Sequence, residues 1–231
     1  MDDLSQGGAE LRQALRHLRR LNLLLGAAGP VRYGVERLWR AAGRPRRLSI
    51  LDVGSGSGDL NRTLLRWARR RKIELKVILA DVTEEAGEEA MRLYRDEPRV
   101  SVVRRSAFDL PPGSADIVTA SQFAHHFAPE QLTALIASTL GASRHGVVIN
   151  DIHRHWLPWA AVWLLTRLIS RNRYILHDGP LSVAKGFRRE DFISAAAQLG
   201  IADMTVHWRP LFRYAAIIPK RREEATDAPR G

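Results

Sequence analysis

The residues best suited to chemistry in this sequence lie in one short run, Leu51-Asp52-Val53-Gly54-Ser55-Gly56-Ser57-Gly58-Asp59-Leu60. Glycines at alternate positions let a backbone turn sharply and approach a ligand without side-chain clash. The spacing is G-x-G-x-G. It differs from the G-x-G-x-x-G of dinucleotide folds, in which a third glycine, at position 59, would stand beside a pyrophosphate. Position 59 is instead Asp59. A carboxylate at a helix start repels a pyrophosphate but suits a ligand with a cationic amino-acid end. Asp52 leads the loop. Two further acids follow at strand ends. Asp81 closes Ile78-Leu79-Ala80-Asp81, where a carboxylate accepts hydrogen bonds from both hydroxyls of a ribose. Asp109, in Ser106-Ala107-Phe108-Asp109, is placed to reach an adenine amino group.

Histidines are the candidates for proton transfer. His125 and His126 follow the fourth strand, and a histidine there can take a hydroxyl proton near neutral pH. The alternative is that one of the pair only caps or orients its loop. His177-Asp178-Gly179-Pro180 reads either as a histidine oriented by Asp178 or as an Asp-Gly-Pro turn beside a solvated histidine. His153 and His155 stand two apart. On a helix such positions point to different faces, which argues against joint metal ligation. No metal site is expected. Trp156, Trp159 and Trp163 share one helix face. They either pack a lid onto the sheet, line an acceptor pocket, or rest on a membrane surface.

The elements that must position these groups alternate. Strands are expected at 48–53, 75–80, 99–104, 116–120 and 146–150, separated by helices at 60–71, 84–94 and 129–140. Strand–helix alternation implies a parallel sheet covered on both faces, wound doubly by right-handed crossovers. Beyond it come a tryptophan-rich helix (156–170), an irregular segment (171–186), a helix (189–199) and two closing strands (204–209 and 212–219). Upstream, Leu11, Leu15, Leu18, Leu21 and Leu25 recur at helical spacing. Gly26 to Pro30 breaks the run, and Val31, Val35 and Leu38 begin a second helix. The fold class is thus α/β, a Rossmann-like doubly wound sheet of about seven strands with an antiparallel last strand. The organisation expected is an N-terminal helical cap (1–43), a main domain (44–220) with a helical lid insertion (152–188), and a disordered tail (221–231).

The glycine loop, Asp81 and Phe108-Asp109, in this order and spacing, resemble the class I S-adenosylmethionine-dependent methyltransferase superfamily. Within it, the sequence is most similar to the branch of ubiquinone/menaquinone-biosynthesis and small-molecule O-methyltransferases. The likeness covers roughly residues 48 to 151. It implies S-adenosylmethionine as cofactor, its methionine part cradled by Gly54, Ser55 and Gly56, its ribose held by Asp81, and its adenine by Phe108 and Asp109. Asp52, Val82 and Ser121 complete the candidate cofactor set, and Asn22, His153, Trp156 and Trp159 are the candidate acceptor contacts. The catalytic candidates are His125, His126, His177 and Asp178.

Several routes within that superfamily are excluded. Without cysteine, the covalent path to C5-methylated pyrimidines is closed. The fourth strand ends Thr119-Ala120-Ser121-Gln122, not in the Asn/Asp-Pro-Pro-Tyr of exocyclic amine methylation. Asn150-Asp151 suggests a metal-dependent catechol-type site, but no carboxylate follows the fourth strand before Glu130. O-methylation of a small aromatic, polyketide or quinol-like acceptor is the expectation, with C-methylation and RNA methylation as competitors. The net charge of +11 favours RNA. The spread of arginine pairs along the chain, as at Arg19-Arg20, Arg46-Arg47 and Arg188-Arg189, argues instead for solvated helix faces. A cytoplasmic, soluble protein is expected, because the opening residues lack a signal-peptide core and no apolar run approaches the roughly 20 residues that span a bilayer.

Overall fold

The computed structural model describes Arg12, Gln13, Leu15, Arg19 and residues 26–169 and 173–221. Runs that are apolar at nearly every position, such as Leu48 to Val53, form strands buried on both faces. The strands are β1 (Arg47–Val53), β2 (Glu74–Asp81), β3 (Val100–Arg104), β4 (Ala115–Ser121), β5 (Ser143–Ile152), β6 (Thr205–Arg209) and β7 (Arg213–Pro219). They form one sheet in the order β3-β2-β1-β4-β5-β7-β6. The neighbouring pairs among β1 to β5 are parallel, whereas β7 runs antiparallel to both β5 and β6. The strand order reverses between β1 and β4. In such sheets the crevice beyond the carboxyl ends of the strands at that reversal is where ligands bind.

Helices cover both faces: α1 (Ala28–Ala41), α2 (Asn61–Arg71), α3 (Glu84–Leu93), α4 (Pro129–Ala142), α5 (Trp156–Ile169), α6 (Arg173–Ala184) and α7 (Arg189–Gln198). One core layer joins Val31, Val35 and Leu38 of α1 and Leu64 and Leu65 of α2 to Ile50, Val77 and Val148 of the sheet. The other joins Leu132, Leu135 and Ile136 of α4 and Phe192 of α7 to Val53, Val118 and Ile149. Gly34 lets α1 lie directly on β5, since a Cβ there would come 2.5 Å from Val148 Cγ1.

Four expectations need correction. First, α1 begins at Ala28, so Pro30 lies in its first turn, where a missing N–H leaves no hydrogen bond unmade. Second, β5 runs on to Ile152, past the expected end at 150, and so takes in Asp151. Third, the segment expected to be irregular contains α6, with Pro180 inside it and with α5 packed against it. His177 and Asp178 thus lie on a helix and not in an Asp-Gly-Pro turn; packing between the two helices has overridden the local turn signal. Fourth, Arg221, placed at the start of the expected tail, lies within the described residues and pairs with Asp203, Nε to Oδ2 2.7 Å. Among the described residues no helix is long and apolar enough to cross a membrane.

Candidate active site

The loop after β1 carries three consecutive left-handed glycines, with φ +58° at Gly54, +54° at Gly56 and +69° at Gly58. Each would strain an L-residue, but they differ in what lies beside them. A Cβ on Gly54 would sit 2.0 Å from the Phe123 ring, and one on Gly58 2.4 Å from Leu79 Cδ1. Among the described residues a Cβ on Gly56 would meet Leu15 alone, in ordinary contact at 3.6 Å. Gly54 and Gly58 are therefore glycines for packing, whereas Gly56 is required by its left-handed φ.

The acids under this loop are wired into it. Asp52 is buried, with Oδ2 accepting from Asn61 Nδ2 at 2.6 Å and Oδ1 from Thr119 Oγ1 at 2.7 Å. Burial pushes its carboxyl up to about 6, against the pull of these two hydrogen bonds. Only 4% exposed and with both oxygens engaged, Asp52 braces the loop from below. At the end of β2, Asp81 accepts from the Gly56 N–H at 2.9 Å on Oδ2, and from the Thr83 N–H and hydroxyl at 3.0 and 2.9 Å on Oδ1. It sits half-buried on the loop rim. Tyr94 donates to the Gly58 carbonyl at 2.6 Å, and burial raises its phenol far above the usual range.

Val82, Arg104, Arg105, Ser106 and Asp109 line a cleft of about 400 Å³ beyond β2 and β3. Val82 and Phe108 are large apolar side chains left 40% and 42% exposed at its rim, and Phe108 meets Phe127 edge-on at 5.1 Å. Asp109 is open to solvent, 3.9 Å from Arg105.

At the end of β4 the chain turns through Gln122, a non-glycine residue at φ +53°. That turn points Phe123 onto Gly54 and starts a short 3-10 turn, Ala124–His126. His125 is buried there, and its Nδ1 lies 2.8 Å from Asp151 Oδ1 on neighbouring β5. Asp151 also accepts from the backbone N–H of His125 (2.9 Å) and of Ile152 (2.7 Å). Burial alone would raise the Asp151 carboxyl, but the His125 ring and these N–H groups outweigh it and hold the carboxyl below its usual range. A carboxylate on Nδ1 fixes the tautomer and leaves Nε2 with its lone pair. No hydrogen bond to a described residue engages Nε2.

The other predicted residues scatter. His126 lies beside His125, ring centroids 4.4 Å apart. Ser121 accepts from Asn150 Nδ2 at 2.8 Å. His153 and His155 are not helical; they leave β5 with their rings stacked 5.7 Å apart. His153 also meets Trp208 and Tyr214 at 5.2 and 5.0 Å. Burial, and then His155, lowers its basicity. Trp156, Trp159 and Trp163 are 69%, 41% and 40% exposed, so they do not pack the lid onto the sheet; α5 buries Pro158 and Thr166 instead. Asn22 falls outside the described residues. Sequence reasoning missed Asp151 as the partner of His125, because it counted the residue only as a metal ligand. It missed Asn61 and Thr119 too. The available signal was register: Asn150 pairs with Ser121, which puts Asp151 beside the turn that carries His125.

Residues 50–146 match a family described as methyltransferase domain. No curated protein matches the chain. Among solved structures, an S-adenosylmethionine-dependent methyltransferase from Aquifex aeolicus is similar at TM-score 0.60 and 14% identity, over 91% of this chain and 98% of that one. Human N-acetylserotonin methyltransferase, in complex with S-adenosylmethionine, is similar at TM-score 0.63 and 14% identity, over 93% of this chain and 57% of that one. The CurJ carbon methyltransferase gives TM-score 0.56 at 14% identity, over 77% of this chain, which spans only 50% of it. At such identities the likeness is one of fold. The fold is the Rossmann-like methyltransferase fold, and the family match lies within it at residues 50–146.

Proposed function

We propose that this protein transfers a methyl group from S-adenosylmethionine to a hydroxyl of a small aromatic, polyketide or quinol-like acceptor, with His125 as the base. The residues present fit the cofactor. Gly56 turns the backbone at a left-handed φ without a side chain, Asp81 offers a half-exposed carboxylate at the end of β2, and Val82 and Phe108 present apolar surface for a flat ring. The backbone from Gly54 to Gly56 would hold its amino-acid end, Asp81 its ribose, and the cleft wall around Val82 and Asp109 its adenine. When bound, the cofactor supplies a methyl group activated by a sulfonium.

The chain's own part is to place the acceptor, exclude water and take one proton. The observation that carries the reading is the 2.8 Å contact from His125 Nδ1 to Asp151. Nε2 accepts the hydroxyl proton as the oxygen attacks, and Asp151 steadies the imidazolium that results.

C-methylation is the second reading. It is favoured by the likeness to the CurJ carbon methyltransferase and to the citrinin polyketide synthase CMeT domain, since an oriented histidine can equally deprotonate an acidic C–H between two carbonyls. Labelled S-adenosylmethionine, offered with phenols, hydroquinones and β-ketothioesters, tests both. Label in a phenol ether that disappears in His125→Ala supports O-methylation. Label on carbon supports the second reading, and label only in added RNA overturns both.

A further inference from the structure

Arg213 opens β7 with only 3% of its surface exposed. Among the described residues its Nε and Nη1 have no hydrogen-bond partner, and no carboxylate lies in ion-pair contact with it. The nearest buried acid, Asp151, already accepts from His125 and from two backbone N–H groups. A buried charge without a partner costs several kcal/mol, so chains retain one where something outside the fold neutralises it. Burial draws the guanidinium down to about 10, against the pull of the Asp151 carboxylate, which attracts it without a hydrogen bond.

Its position says where that partner binds. Arg213 is the register partner of Ile152 at the carboxyl end of β5, so the two side chains share a face. Asn150, two residues earlier on β5, points to the same side. There its Nδ2 donates to Ser121 Oγ at 2.8 Å and to the Ala27 carbonyl at 3.3 Å. Ala27 accepts only, so the amide orientation is set, and Oδ1 remains as a buried acceptor without a donor. Across β7, Arg209 pairs with Arg213 and lies over the Tyr33 ring at 4.2 Å. A second positive charge thus stands next to the first. The ends of β4, β5 and β7 under the start of α1 therefore present a cation and a lone acceptor, at the same strand end as Asp151, the partner of His125.

We propose that Arg213 binds the methyl acceptor, and that the acceptor carries a carboxylate held by the Arg213 guanidinium, leaving its hydroxyl for His125. This rests on the methyltransferase reading and names its substrate class: a small hydroxy acid. Charge-assisted hydrogen bonds in a dry site make the carboxylate worth roughly ten- to a hundredfold in affinity over a neutral isostere.

The test measures binding of 4-hydroxybenzoate, salicylate and 4-hydroxyphenylpyruvate, and of the amide of each, to the full chain saturated with S-adenosylhomocysteine. The wild type is expected to prefer at least one carboxylate by tenfold or more. Arg213→Met should lose that preference, Arg213→Lys should keep part of it, and all three proteins should bind S-adenosylhomocysteine alike. A second readout separates a ligand anchor from a structural arginine: removing an unpaired buried charge should leave the Tm of Arg213→Met equal or higher. Equal binding of acids and amides, or of neither, overturns the proposal, as does a fall in the Tm of Arg213→Met. Loss of S-adenosylhomocysteine binding by the wild type itself would instead defeat the underlying methyltransferase reading.

Discussion

At the end of β1 both oxygens of buried Asp52 are taken, by Asn61 and Thr119, and at the end of β2 both oxygens of Asp81 are taken, by Gly56 and Thr83. At the ends of β5 and β7 the reverse holds. Asn150 Oδ1, His153 Nδ1 and Arg213 Nε and Nη1 are buried without partners among the described residues. Buried polar groups are ordinarily paired, so exceptions gathered in one place mark a site whose partner is a ligand. The first region is braced before any ligand arrives, and leaves its loop backbone and the half-exposed Asp81 carboxylate to meet one. The second keeps some of its polar atoms uncommitted, beside an Asp151 that is fully engaged. Gly54 joins the two, because the Phe123 ring from the β4 turn occupies the space its Cβ would fill.

The sharpest way to break this division is His125→Ala. Methyl transfer should fall roughly 10²- to 10⁴-fold while affinity for S-adenosylhomocysteine stays unchanged; steady-state kinetics beside calorimetry check both, and a parallel loss of cofactor affinity would mean the regions are not separable. Gly54→Ala strikes the joint. A Cβ 2.0 Å from Phe123 at φ +58° should cost about 2–4 kcal/mol in urea unfolding and weaken both binding sites together.

Asp52 gives a pH signature of the braced region. Burial pushes its folded carboxyl up to about 6 from an ordinary aspartate value of about 4, so between those values the native state binds more protons than the unfolded chain. Its contribution therefore makes stability fall as pH rises from about 4 to 6, by roughly 3 kcal/mol at most. Asp52→Asn should flatten that slope in denaturation curves taken across the window. Smallest of all, Trp156→Ser should change stability by about 0.5 kcal/mol or less, given its 69% exposure. Thermal unfolding checks this, and a larger drop would show α5 to be a packing element.

The same division explains what could be read from the sequence. The sheet was legible because short stretches rich in Val, Ile and Leu alternate with helix patterns, and the loop because three glycines stand at fixed offsets. Contacts local in sequence carry both signals. The dyad was half legible: His125 stood out, but Asp151 reaches it only through the pairing of β4 with β5, 26 residues away in sequence. Arg213 was invisible, since one arginine among many shows nothing of burial until β7 folds back antiparallel beside β5. At α6 the reading failed because Asp-Gly-Pro is a turn signal only where no neighbouring helix overrides it.

The most direct test of the braced region as a cofactor site is calorimetric titration with S-adenosylhomocysteine of the wild type, Asp81→Ala and His125→Ala. The account predicts micromolar binding by the wild type and His125→Ala, and none by Asp81→Ala. A folded wild type that does not bind, or an Asp81→Ala variant that binds equally well, would contradict it.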